Sequence, residues 1–144
     1  MKRKLNTAHI ILYDVKRRFL FQHRSSDAKR LPGYWAFFGG GIERGEKPLE
    51  AVYRETFEEL AYTLKAPEYV FEQDFKIDGI EGRMRVYIEA FKGDKSALKL
   101  QEGQGWGWYS IQETKQLKMI DHDRLVIEKI VEHIAKKQMP EIVR

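Results

Sequence analysis

Residues 8–14 run almost wholly apolar and residues 19–24 repeat the pattern, which predicts two buried strands paired as a hairpin across a turn at 14–18. Residues 28–38 read as a loop, turned at Pro32-Gly33, that ends in a short aromatic strand and passes into a glycine loop at 39–41. From 49 to 60 there is neither glycine nor proline, and positions 49, 52, 53, 56 and 60 make one apolar stripe at helical spacing. Pro48 suits the first turn of that helix, where a missing N–H costs little. Two long strands follow at 68–77 and 83–92, joined through 78–82, and then a lysine-rich turn over 92–99. A glycine-rich loop leads into a strand carrying Trp106 and Trp108. Ser110 reads as a helix cap, 117–120 as a loop, and Asp121 as the cap of a last helix of about sixteen residues, with its stripe at 126, 127, 130, 131 and 134. That order of elements is mixed α/β (α+β), with no internal repeat and no linker.

Composition narrows the classes. A chain of 144 residues is expected to form a single domain over 1–144 with its own core. No apolar run approaches membrane-spanning length and no signal-peptide pattern follows the basic start, so no membrane partner is expected. The absence of cysteine excludes disulfides, thiolate metal sites and cysteine nucleophiles, and a cytoplasmic setting is the natural expectation. The 26 basic residues exceed the 22 acidic ones by only four and are scattered, which speaks against a nucleic-acid surface. His9 lies in the first strand with no other histidine at ligand spacing and reads as structural.

The chemistry concentrates after the glycines. Glu55, Glu58 and Glu59 stand at i, i+3 and i+4, so the helix can gather them on the face opposite its apolar stripe. Such a set is either a solvated acidic face or a set of hard oxygen donors for a divalent cation.

Gly40, five residues, Glu46, seven residues, Arg54-Glu55, two residues and Glu58-Glu59 together resemble the Nudix box, the signature of Mg-dependent pyrophosphohydrolases. A chance match at six such positions is on the order of one in ten million per window. Thr56 stands at a bulky aliphatic position, Ala61 replaces the closing glycine, Tyr62 fills the last aliphatic position, and Phe38 stands where many members carry proline. None of these removes a ligand. The resemblance implies the Nudix fold, a mixed sheet sandwiched between helices. It implies Glu55 and Glu59 as main metal ligands, Glu58 sharing metal or proton transfer, and the Gly40 carbonyl as a further ligand. Arg54 and Glu46 are then expected to brace the carboxylates.

The stretch from Glu102 to Trp108 is similar to MutT-like members, which implies Glu102 as an extra ligand or base. The same resemblance implies a phosphate contact for Arg24, against the alternative of a surface arginine. Trp106 and one of Tyr34, Trp35, Phe37 and Phe38 are candidates to stack on a nucleobase, Phe38 standing directly before the glycine loop. Asp123 is a candidate to read a purine edge or a plain helix-start carboxylate. The implied cofactor is Mg2+, with Mn2+ as substitute, and the implied partner a nucleotide. A MutT-like nucleoside triphosphate diphosphatase is the expected activity; a nucleotide-sugar (GDP-mannose type) hydrolase and a non-catalytic nucleotide- or RNA-binding module are the alternatives. A homodimer is the default for soluble oligomers.

Overall fold

A computed structural model describes residues 4–77, 79–101 and 103–138. The organising strand is β1 (Lys4–Tyr13). It runs parallel to β6 (Ile80–Ala90) from Lys4↔Glu81 to Tyr13↔Ala90, and antiparallel to β4 (Phe38–Gly41) from Thr7↔Gly41 to Ile10↔Phe38. A second group forms around β2 (Phe19–His23), which pairs antiparallel with β3 (Trp35–Ala36) and β7 (Gly105–Tyr109). The edge is β5 (Glu68–Ile77), antiparallel to β6.

The period-two alternation of β1 divides the core. Ala8, Ile10 and Leu12 face Ala51, Val52 and Leu60 of helix α1 (Pro48–Leu60). Ile11 joins Met84, Val86 and Ile88 against Val126, Ile127, Ile130 and Ile134 of helix α3 (Asp121–Gln138), which carries the expected stripe. The sheet is thus held between helices, as expected. Between β7 and α3, the short helix α2 (Ile111–Thr114) is capped by Ser110, whose hydroxyl accepts the Glu113 N–H at 3.1 Å. No helix among the described residues is long and apolar enough to cross a membrane.

Three expectations need correction. β1 and β2 do not zip as a hairpin; they share the single register pair Tyr13↔Phe19, because β4 and β6 occupy the two edges of β1. Residues 39–41 are strand, not loop. Gly39 (φ +129°) lies so close to β1 that a Cβ would stand 2.3 Å from the Ala8 carbonyl oxygen. Leu49 is 44 % exposed, and the inward face of α1 adds Ala51 and Glu59 to the expected Val52, Thr56 and Leu60. The helix ends on Ala61 in the left-handed conformation (φ +52°), the strained geometry a glycine would adopt more easily.

The turn after β1 is stapled by Asp14, which is 6 % exposed. Its carboxylate accepts the Lys16 and Arg18 N–H groups at 3.0 and 2.8 Å, Arg18 Nε at 2.9 Å and Lys95 Nζ at 2.8 Å. Burial pushes this carboxyl up, but Lys95 and Arg18 outweigh it and hold it at about 2 against an ordinary 3.8. Because the folded value is depressed, the stabilisation is complete above the ordinary value and is lost as pH falls through about 2. Asp14→Ala is expected to cost roughly 1–2 kcal/mol at neutral pH, screened by the partial exposure of both cations. Urea unfolding should show the gap between variant and parent narrow as pH falls from about 4 to about 2; a gap unchanged over that range would deny the staple its charge-based strength.

Candidate active site

Arg54 is the hub of the acidic helix face. Its Nε and Nη2 grip Glu46 in a bidentate pair at 2.7 and 2.9 Å, and Nη2 also donates to the Gly41 carbonyl at 3.0 Å. Its Nη1 donates to Glu55 Oε1 at 3.0 Å and to Glu58 Oε2 at 3.4 Å. The Arg54 hydrogen bonds hold the Glu46 carboxyl at about 2, well below the usual range, so the pair stays ionised at neutral pH. One guanidinium therefore ties the loop at 43–46, the end of β4 and the carboxylates of α1 together.

Glu59 is treated differently from its neighbours. It is 4 % exposed, and its Oε1 accepts the Gly39 N–H at 2.8 Å. Gly40 stands against Glu55: a Cβ there would come within 2.7 Å of Oε1. The lack of a side chain at Gly40 thus opens the cradle in which the Glu55 carboxylate lies. The donor set is one that suits a hard divalent cation, with carboxylate oxygens and no sulfur or imidazole at its centre. Among the described residues no three acidic or histidine side chains already form a cation cage. Within this acidic set Arg54 holds Glu55 and the half-exposed Glu58, and the Glu59 carboxylate lies beneath Gly39.

On another side of the β4 glycines is a cavity of about 290 Å3, close to the lower bound of small-ligand sites. Phe37, Phe75, Met84 and Ile120 give it apolar walls, and Arg24 and Arg30 line it from the loop between β2 and β3. Arg24 Nε donates to the Arg30 carbonyl at 2.8 Å, which holds the two arginines together. Asp123, in the first turn of α3, is 6 % exposed and reaches the cavity beside His122, whose Nδ1 is 3.3 Å from Asp123 Oδ1.

The aromatic candidates are placed elsewhere. Phe38 is 1 % exposed within the α1-side core, so it has no face left for a nucleobase. The alternation of β4 turns it inward while Phe37 lines the cavity. Trp106 pairs with Gln22 in register and packs against the α1-side core, apart from the cavity walls. Lys118 Nζ lies 4.5 Å from the centre of the Tyr34 ring. Glu102 lies outside the described residues.

Five polar lining residues were missed: Thr7, His9, Gln22, Arg30 and His122. Gln22, 5 % exposed, donates from Nε2 to the Phe37 carbonyl at 2.8 Å. Burial lowers the basicity of His9, with Asp123 opposing it. The signal was present in the sequence, since Thr7 and His9 alternate with Ala8 and Ile10, and polar residues repeated on one face of a buried strand point to a wet or occupied space.

The NUDIX domain family model matches residues 3–130. The chain is 29 % identical over 96 residues to an RNA pyrophosphohydrolase of Photobacterium profundum, covering 53 % of this chain and 55 % of that protein. It thus spans about half the length of the relatives of this kind from Photobacterium and Vibrio. An RNA pyrophosphohydrolase of a Sulfurovum species is 26 % identical over 156 aligned positions that cover 92 % of each chain. The crystal structure of a MutT protein from Methanosarcina mazei superposes with a TM-score of 0.80 at 21 % identity, over 92 % of this chain and 96 % of that one.

Proposed function

Because the chain belongs to the Nudix family, we propose that it is a divalent-metal-dependent pyrophosphohydrolase that cleaves a phosphoanhydride bond in a nucleoside 5′-triphosphate, normal or oxidised. The observation that carries this reading is the shared wall: the β4 glycines both line the cavity and back Glu55 and Glu59. A base held in the cavity would direct its phosphate chain along that wall toward the carboxylates.

Each residue then has a task. Glu55 and Glu59 would hold Mg2+ (or Mn2+), with Glu58, the Gly40 carbonyl and Glu102 as further donors, and one of Glu58, Glu59 and Glu102 as general base. When bound, the ion neutralises phosphate charge and lowers the pKa of attacking water. Arg54, already fixed by Glu46, holds Glu55 and Glu58 in reach and limits their mutual repulsion. Arg24 and Arg30 offer guanidinium donors to phosphate at the cavity. Asp123 offers a nearly buried carboxylate to base N–H groups, and Phe37 an aromatic wall.

A 5′-triphosphorylated RNA end carries the same nucleoside triphosphate unit, and the match to proteins named RNA pyrophosphohydrolase favours it as a second reading. The two are separated by offering nucleoside triphosphates, nucleotide sugars and 5′-triphosphorylated RNA with magnesium and identifying the products. Pyrophosphate released from free triphosphates, with kcat/KM at least about tenfold above that for RNA, is the expected result. Preference for the RNA end would install the second reading. Sugar phosphate formed from nucleotide sugars alone would replace both.

A further inference from the structure

The Phe38 carbonyl and the Gly39 N–H belong to one planar peptide unit. On one side the carbonyl accepts a hydrogen bond from His9 Nδ1 at 3.3 Å; on the other the N–H donates to Glu59 Oε1 at 2.8 Å. Donation to a peptide carbonyl polarises the unit and makes its N–H a stronger donor. We propose that His9 is a positioning residue: its Nδ1–H, acting through the Phe38–Gly39 peptide, fixes and strengthens the hydrogen bond that sets the Glu59 carboxylate. The inference rests on the hydrolase reading of Glu59 given above.

The surroundings of the ring fix which nitrogen carries the proton. A peptide carbonyl can only accept, so Nδ1 must be protonated to satisfy it. The Thr7 hydroxyl, 6 % exposed and 3.1 Å from Nε2, is free to donate to the lone pair left there. The opposite tautomer would set two lone pairs against each other at Nδ1. The Phe37 ring meets the imidazole edge-on, with centroids 6.3 Å apart, and resists its rotation. Gly39 is part of the same device, for a Cβ there would come within 2.9 Å of Nδ1. His9 and Thr7 also line the cavity, so whatever fills it meets the same pair that steadies Glu59.

The test compares His9→Leu, which has no donor, with His9→Asn, whose side-chain amide offers an N–H at the δ position. His9→Leu is expected to lower kcat by roughly 10–30-fold, to leave KM within about twofold, and to weaken Mn2+ binding to the nucleotide-free protein by about fivefold. His9→Asn should recover most of both losses. Long-range 1H–15N spectra of the parent protein should show the proton on Nδ1, and the Gly39 amide proton should move upfield in His9→Leu. Equal behaviour of the two variants, a loss confined to KM, or a proton on Nε2 would overturn the proposal. Should His9→Leu fail to fold, the parent tautomer and the Gly39 amide shift in His9→Asn still decide. Glu59→Gln serves as the reference: if it keeps full turnover, the catalytic assignment of Glu59 on which this inference rests is wrong. If it is inactive while His9→Leu is normal in kcat and Mn2+ affinity, only the role of His9 fails.

Discussion

Glu59→Gln is expected to reduce turnover by roughly three orders of magnitude or more, with the melting temperature shifted by no more than about 2 °C. The two side chains are nearly the same size, and the glutamine oxygen can still accept the Gly39 N–H that Glu59 accepts at 2.8 Å. What disappears is the negative charge. In a position only 4 % exposed, that loss eases a desolvation cost while removing the strongest attraction a divalent cation would find. Stability and activity should therefore part company. Steady-state rates with magnesium and a thermal melt on the same preparation check both halves. Turnover equal to that of the parent would remove Glu59 from the chemistry, and a collapse of the melting temperature would make it a structural residue.

Gly39→Ala is expected to be among the most damaging small substitutions in the chain, costing roughly 3 kcal/mol or more. Its φ of +129° is closed to side-chain-bearing residues, and the new methyl would stand 2.3 Å from the Ala8 carbonyl oxygen and 2.7 Å from the His9 Cα. Those are backbone atoms of the central strand and cannot swing away, so β4 would have to lift from β1. The Gly39 N–H would leave Glu59 with it, and activity should fall together with stability. Gly45→Ala is the control: its φ is +82°, but nothing lies within 4 Å of the added carbon. Left-handed strain alone should cost that variant about 1 kcal/mol. Thermal unfolding followed by circular dichroism should put Gly39→Ala on the order of 10 °C below the parent. If the two alanine variants melt together, the close approach of β4 to β1 is not what the glycine serves.

Legibility followed the range of the forces involved. The span of α1, the stripe of α3, the Ser110 cap and the long β5–β6 pair depend on periodicity and local capping, and all can be read along the chain. Glu46 and Arg54 could be paired in advance because loop and helix are adjacent in sequence. The β1–β2 hairpin was misread for the opposite reason. Short turns suggest pairing of neighbours, but β4, which returns from further along the chain, takes Thr7 to Ile10 on the edge of β1 that β2 would use and leaves β2 only Tyr13↔Phe19. Phe38 and Phe37 show the same limit on a finer scale, since which of two adjacent aromatics meets the cavity is set by the pleat of β4 against β1.

By itself the sequence determined the α/β order, the family and the set of acidic side chains on one helical face, because each is written in spacing along a single element. Only the tertiary structure decided how those acids are shared out, with Arg54 holding Glu55 and Glu58 and a glycine amide holding Glu59. It alone placed His9, Gln22 and Asp123 around one cavity. Those groups come from β1, β2 and α3, and residues so far apart in the chain meet only where packing of the sheet against its helices brings them together.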